Sequence, residues 1–308
     1  MQVLVIGNPI AGTGLAEKRI YEFARTLGSR GHDVEIFMTA RAGEALERAR
    51  DIDDNINSLV VAGGDGTVNE VINGLADPSC IPILHLPAGT ANQLARTLEL
   101  PFDASKLATI LERGAIRRID MGLAGRRRFL LLVSSGLDAR VAEEVKKRRS
   151  NTLGYSGYVF PIVKAVASHR PAQIEVVLDN EQRIAGYDVM VLKVRQYGGF
   201  LVFAEDARLD SGHFDVCIFQ QGSLGWMSLY AVAGLMRKVS DLPGVVHQTA
   251  KTIRIESEVP APVEIDGDHF GMTPIDIRIR PSIVPMIVSG EDRGHNRLQE
   301  PLPDPTLE

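Results

Sequence analysis

Three times within the first hundred residues, an apolar run ends in a Gly-rich turn that opens a helical pattern. The runs are Val3–Ile6, Leu59–Val61 and Ile83–Leu86. The turns are Gly7-Asn8-Pro9-Ile10-Ala11-Gly12-Thr13-Gly14, Gly63-Gly64-Asp65-Gly66-Thr67 and Pro87-Ala88-Gly89-Thr90-Ala91-Asn92. Strand and helix patterns alternating in this way specify a parallel sheet covered by helices. Val34–Phe37 adds a fourth strand, and Leu15–Leu27, Ala42–Arg50, Val68–Leu75 and Ala91–Leu98 read as helices. An α/β domain over residues 1–122 is expected.

The turns suit phosphate binding. Glycines bring backbone close to a ligand, and a helix amino end offers N–H groups and a positive dipole end to an anion. A carboxylate at Asp65 has a use beside phosphates if it holds a divalent cation or accepts a proton from an attacking hydroxyl. Taken alone, GGDG is equally an ordinary strand-to-helix turn with Asp65 as N-cap. The N-terminal loop has the Walker A spacing at Gly7 and Gly12, but Thr13 stands where the lysine belongs, which argues against an ordinary P-loop. The glycines do not form a dinucleotide fingerprint either.

Beyond Arg126-Arg127-Arg128 the pattern turns β-rich. Phe129–Val133, Gln173–Leu178, Tyr187–Lys193, Phe214–Gln220, Thr252–Glu256, Val263–Ile265 and Ile275–Ile279 read as strands of an antiparallel β-sandwich over 123–284. Met286–Val288 reads as a strand returning to the first domain, with 285–300 joining it, and the polar, Pro-rich 291–308 as an extended tail. A net charge of −5 argues against a nucleic-acid partner, and no zinc-ligand cluster appears. Cys80 and Cys217 lie in or beside apolar runs and read as reduced core residues, which fits the cytoplasm. Met1-Gln2 leads straight into a strand without a signal peptide, and no apolar run reaches the ~18 residues that span a membrane.

Gly63-Gly64-Asp65-Gly66-Thr67-Val68-Asn69-Glu70-Val71, followed by Pro87-Ala88-Gly89-Thr90-Ala91-Asn92, resembles the diacylglycerol kinase/sphingosine kinase catalytic family in its bacterial lipid-kinase branch. Tyr197-Gly198-Gly199 resembles that family's YGGG turn, and Glu264-Ile265-Asp266-Gly267-Asp268 its late D-G-E motif. NAD kinases share GGDGT and are the nearest competitor; a nucleotide-binding regulatory protein with a degenerate site is the alternative from another class. The resemblance implies an NAD-kinase-like α/β domain, a β-sandwich, and an active site in the cleft between them. It implies ATP and magnesium as cofactors, with Asn8, Gly12, Thr13, Thr39, Gly63, Gly64, Asp65, Gly66, Thr67, Val68, Asn69, Glu70, Gly89, Thr90 and Asn92 around the nucleotide. Asp65 stands at the reaction centre through the catalytic magnesium. Asp268, with Asp266 beside it, is the implied proton acceptor. A lipid alcohol would be reached peripherally, at the inner face of a membrane; the acceptor's identity and the oligomeric state, a homodimer included, stay open.

Two positions depart from the family pattern. Gln93 stands where the family has an acid, and Ser211 where some relatives hold a second, structural magnesium with an aspartate. Both changes remove a carboxylate, so that metal site is expected to be absent, or rebuilt weakly around Asp210. Arg126-Arg127-Arg128 and Lys146-Lys147-Arg148-Arg149 read as solvated turns or helix ends, with anionic headgroups as the alternative. Leu224 to Val239 reads as a helix buried against the sandwich, the alternatives being an interfacial helix or an acyl-pocket wall. His213 and His269 read as ordinary surface or hydrogen-bonded histidines.

Overall fold

A computed structural model of the protein describes residues 1–12, 14–148, 170–179, 181–198 and 201–290. Four parallel strands, β1 (Gln2–Gly7), β2 (Asp33–Met38), β3 (Ser58–Gly63) and β4 (Ile83–Pro87), alternate with α1 (Ala16–Ser29), α2 (Glu44–Arg50), α3 (Asp65–Gly74) and the short α4 (Gln93–Thr97). Every residue of β3 and β4 is buried, as in parallel strands with helices on both faces. α1 meets the sheet through Ile20, Phe23, Ala24 and Leu27, the three- and four-residue spacing of one helix face. A fifth helix, α5 (Ala104–Arg113), was not expected from the sequence. Its signals are the Asp103 carboxylate, which accepts the Lys106 N–H at 2.8 Å, and the buried Leu107, Ala108 and Leu111.

The chain then enters β5 (Ala115–Ala124), β6 (Arg127–Phe129) and β7 (Leu132–Ser135), followed by α6 (Leu137–Arg148). After it come β8 (Ile174–Leu178), β9 (Gln182–Gly186), β10 (Asp188–Leu192), the small pair β11 (Gln196–Tyr197) and β12 (Leu201–Val202), and β13 (Phe214–Phe219). Helix α7 (Leu224–Leu235) precedes β14 (Val245–Ala250), β15 (Thr252–Ser257), β16 (Pro262–Ile265), β17 (Asp268–Met272) and the 14-residue β18 (Ile275–Val288). The expected strand Phe129–Val133 is two strands, because the N–H groups of Leu130 and Leu131 leave the ladder for the Asp266 carboxylate.

One sheet is ordered β2-β1-β3-β4-β18-β15-β8-β9, with β5 along β18; the other is ordered β14-β13-β10-β7-β16-β17. β18 joins the halves. Its start pairs antiparallel with β15, and Met286 pairs parallel with Ile83 of β4, so the strand expected at Met286–Val288 does return to the first sheet. A register shift between Arg280 and Val284 separates the two parts. The fold is thus a parallel α/β unit plus an antiparallel β-sandwich. Between the sandwich sheets lie Phe129, Val133, Val176, Val191, Phe214, Val216 and Ile255, and the Phe129 and Phe214 rings stack at 5.6 Å. Gly122 has no room for a side chain, since a Cβ there would lie 2.1 Å from the Phe129 ring.

Two surface expectations are corrected. α7 buries only Tyr230, Ala233 and Gly234, while Leu229, Val232 and Leu235 are exposed. Cys80 is exposed and donates to Asp77 at 3.2 Å, whereas Cys217 is buried. The expected tail 291–308 lies outside the described residues.

Candidate active site

The three Gly-rich turns meet at the carboxyl edge of the parallel strands. Gly7 sits beside Ala62, and Gly63 beside Pro87. The Asn8 N–H donates to Ala62 at 2.8 Å, the Ala88 N–H to Gly63 at 2.9 Å, and the Thr39 N–H to Gly7 at 2.8 Å. Glycine is required where the turns touch. A Cβ on Gly12 (φ +62°) would lie 2.4 Å from the Ala88 carbonyl oxygen, and one on Gly89 would lie 2.4 Å from the Gly64 Cα. Gly66, in the first turn of α3, faces open space, so a ligand can approach that helix end. Thr90 is half-buried in its turn; Thr13 lies outside the described residues.

Asp65 is the first residue of α3, whose N-cap is Gly64. Its carboxylate crosses to the next turn and accepts the N–H groups of Gln93 at 2.8 Å and Leu94 at 2.9 Å. It therefore caps α4 rather than its own helix. Beside it, Gln93 is buried and its side-chain Nε2 donor has no protein partner. Beneath lies His85, fully buried, its Nε2 3.1 Å from the Gly63 carbonyl. Burial lowers the His85 pKa, opposed by the charge of Asp65. The sequence showed only a histidine inside an apolar run.

Several expected nucleotide contacts are engaged elsewhere. Val68 is buried in the core, and Thr67 packs against Gly63. The Asn92 side chain brackets Gly89, accepting its N–H at 2.8 Å and donating to its carbonyl at 2.7 Å. Glu70 accepts the Gly43 N–H at 3.1 Å. Asn69 donates to Asp266 at 2.8 Å and to the Arg128 carbonyl at 3.1 Å, and accepts from Arg127.

The late motif is the tip of the β16–β17 hairpin. Asp266 (φ +48°) and Gly267 (φ +90°) form its two-residue turn, the Asp-Gly pairing that such hairpins favour. The Asp266 carboxylate accepts four N–H groups: from Asn69, Leu130, Leu131 and Leu132, at 2.8 to 3.0 Å. Burial raises its pKa, and the backbone donors, Leu130 first, oppose that. Asp268 begins β17 and is exposed. Arg127 and Arg128 are not a solvated turn. Arg128 donates to the Ile72 carbonyl at 2.8 Å and to Leu75 and Ala76, so it satisfies the carboxyl end of α3. Of the second basic run, Lys147 pairs with Glu143 and Glu144; Arg149 and the side chains of Lys146 and Arg148 are outside the described residues, as is Gly199 of the YGG turn.

An acid cluster missed in the sequence lies under the hairpin. Ser134 Oγ is 2.7 Å from Asp138 and 2.8 Å from Glu264, Tyr197 donates to Asp138, and Glu264 accepts the Gly267 N–H. One hydroxyl proton cannot serve both carboxyls, so one of them keeps its own proton. Burial raises both pKa values, that of Glu264 further through the charge of Asp138.

At the departing positions, Lys193 is fully buried. Its Nζ donates to Asp120 at 2.7 Å, Ser211 at 2.8 Å and the His213 carbonyl at 2.7 Å. Asp210 pairs with Arg117 and Arg208. His269 is half-buried in β17. Among the described residues no group of three or more His, Cys, Asp or Glu side chains is placed to hold a metal ion.

The family model for the diacylglycerol kinase catalytic domain matches residues 2–124, and that for the YegS C-terminal NAD kinase beta sandwich-like domain matches residues 131–288. The chain belongs to the diacylglycerol kinase family. A diacylglycerol kinase of Staphylococcus carnosus is 28% identical over 274 residues, 88% of this chain and 89% of the relative. One of Bacillus subtilis is 27% identical over 276 residues, 88% and 90%. Two solved structures from Bacillus anthracis str. Sterne align with TM-scores of 0.75 and 0.73 at 26% and 24% identity, over 94% of this chain and 97% of each; the second is described as a diacylglycerol kinase. The match at 24% identity speaks for the fold alone. As a member of the family this chain is a phosphotransferase with an alcohol acceptor. The NAD kinase expectation keeps only the sandwich likeness named in the second model.

Proposed function

We propose that the protein transfers the γ-phosphate of ATP to a hydroxyl of diacylglycerol or a related lipid alcohol, between the Gly-rich turns and the β16–β17 hairpin. The observation that carries the reading is the placement of Asp65 and the unpartnered Gln93 amide where the three turns meet. The open α3 amino end at Gly66 and the close-packed turn backbones suit the phosphates. The Asp65 oxygens each accept one N–H and retain lone pairs, so this carboxylate fits magnesium shared with phosphate oxygens. The ion would neutralise charge on those oxygens. The Gln93 amide, buried beside it, would donate to an acceptor oxygen of the nucleotide or the lipid.

For the proton of the attacking alcohol, the geometry favours Asp268 over Asp266. Asp266 already receives four N–H donors and acts as a positioning residue, while Asp268 is exposed on the adjoining strand. At the second metal position the Lys193 ammonium faces Asp120 and Ser211, and two arginines face Asp210. A side-chain cation takes the place of a structural magnesium on this reading. No described helix is long and apolar enough to cross a membrane; on this reading the enzyme works peripherally, at the cytoplasmic face of a membrane.

The test is transfer from γ-labelled ATP to diacylglycerol and, separately, to NAD. Wild type should label the lipid. Asp268→Ala should hold ATP with near-native affinity and transfer ~10²-fold or more slowly, within the range for general-base loss. Label on NAD alone, or an active Asp268→Ala enzyme, would overturn the assignment.

A further inference from the structure

From Ser223 to Met236 the chain carries no Asp, Glu, Lys, Arg or His. Its helix α7 is apolar on the inner and the outer side. Inward, Tyr230 packs on Phe219 with ring centroids 4.8 Å apart and on Trp226 at 5.9 Å. Outward, Leu224, Leu229, Val232, Leu235 and Met236 are 42 to 61% exposed. These are five of the thirteen large exposed apolar side chains among the described residues, a patch rather than the scatter of an ordinary surface. A helix that is apolar all round belongs in a core or in lipid, and this one has a core on one side only.

The residues after the helix identify the other side. Arg237 closes α7 in the left-handed conformation (φ +58°), with the Lys238 N–H returning to Ala233 at 2.9 Å. Arg237 also lines a cavity of about 140 Å³ with Arg96, Arg195, Gln196 and Glu99. Three arginines against one glutamate leave this cavity cationic. Arg96 is held in place by the Ala91 carbonyl at 3.0 Å and by the Phe102 ring, 5.4 Å from its guanidinium. Guanidinium groups suit phosphate oxygens. Apolar side chains bordered by phosphate-binding cations match the depth profile of an anionic bilayer: acyl chains, then phosphodiester headgroups.

We propose that the outward face of α7 and the arginine cavity at its carboxyl end form a docking surface for an anionic phospholipid bilayer. The inference rests on the lipid-kinase reading for its purpose. α4 links the two places: Asp65 holds its amino end and Arg96 lies in its last turn. Docking here sets the transfer site beside the membrane, where a lipid alcohol resides.

The experiment is vesicle sedimentation with the full chain, using pure phosphatidylcholine and phosphatidylcholine mixed with phosphatidylglycerol. In parallel, transfer is measured to a short-chain, water-soluble diacylglycerol. Leu229→Ser/Leu235→Ser should weaken binding to mixed vesicles at least 10-fold. Arg195→Gln/Arg237→Gln should weaken it roughly 25-fold, about five-fold per surface charge, and flatten its salt dependence. Both variants should unfold at the wild-type temperature and phosphorylate the soluble acceptor at the wild-type rate. Wild-type binding without preference for the anionic vesicles, or variants that bind like wild type, would overturn the docking surface. So would a wild-type dimer that Leu229→Ser/Leu235→Ser dissociates while vesicle binding stays intact; the patch would then cover a second copy of the chain. Vesicle binding that tracks the variants, with no lipid phosphorylated by any form, would uphold the docking surface and defeat the kinase reading.

Discussion

On the proposed function, Asp65 would perform two tasks with one carboxylate. It closes the amino end of α4 through two N–H groups, and on our reading it faces the nucleotide. Replacing it with asparagine leaves one oxygen to accept and turns an amide NH₂ toward the other N–H donor. Asp65→Asn should therefore lower stability by about 1–2 kcal/mol and lower kcat about 100-fold, with less change in ATP affinity. Thermal unfolding and steady-state kinetics on one preparation separate the two tasks. A fall in stability with unchanged kcat would reduce Asp65 to a cap. The motif made Asp65 legible from the sequence, but its partners lie 28 and 29 positions away and are backbone groups, which carry no side-chain signature. Asn92 stands in a readable motif, and among the described residues its side-chain amide brackets Gly89, a contact that the motif does not announce.

At the scale of elements, α6 begins on an unusual support. Gly136 (φ +125°) brings the chain against the buried carboxyl of Asp188, which accepts the Leu137 N–H; a Cβ at Gly136 would lie 2.0 Å from that oxygen. Burial raises the Asp188 pKa from 3.8 to about 7, the N–H of Leu137 opposing and the neighbouring Asp138 adding to it. The folded chain thus binds this proton more tightly than the unfolded chain. The contribution is fully present below pH 3.8 and is lost as pH rises to about 7, a change of about 4 kcal/mol. Asparagine keeps the acceptor for Leu137 and removes the ionisation, but buries an NH₂ group. Asp188→Asn should match or trail wild type at about pH 4 and exceed it by about 1–2 kcal/mol at about pH 8. Urea unfolding at both pH values checks this; parallel behaviour of the two proteins would mean the carboxyl titrates normally. Apolar runs made the first strands legible, β3 and β4 being buried throughout, and periodicity made α1 legible through its buried Ile20, Phe23, Ala24 and Leu27. It hid the break between β6 and β7, which is set by Asp266 from more than 130 residues downstream, and it could not decide between a core and an exposed outer face for α7, because an all-apolar helix carries no polar side to mark it.

For the whole molecule, the question is what holds the halves in register. β18 runs from the sandwich to β4, so one sheet is continuous through both. Across the front, Asn69 of α3, Arg127 and Arg128 of β6, and Asp266 of the hairpin form one hydrogen-bonded knot. This knot sets the distance from the Gly-rich turns to Asp268, and it joins residues 197 apart in the chain, beyond any sequence period. A continuous sheet predicts one cooperative unfolding transition rather than two, observable by calorimetry. Asp266→Ala strands buried N–H donors of Leu130, Leu131 and Leu132 and should destabilise by about 3–5 kcal/mol. Asn69→Ala removes one donor to Asp266 and the acceptor for Arg127, and should lower stability by about 2 kcal/mol. Because the two side chains share a hydrogen bond, their effects should fail to add by about 1 kcal/mol or more in a double-mutant cycle. Asn69→Ala should also slow transfer at saturating ATP while leaving ATP affinity near native, since it disturbs the hairpin more than the turns. Additive stabilities, or a loss confined to ATP affinity, would place Asn69 in the nucleotide site instead and leave the spacing of the halves to β18 alone.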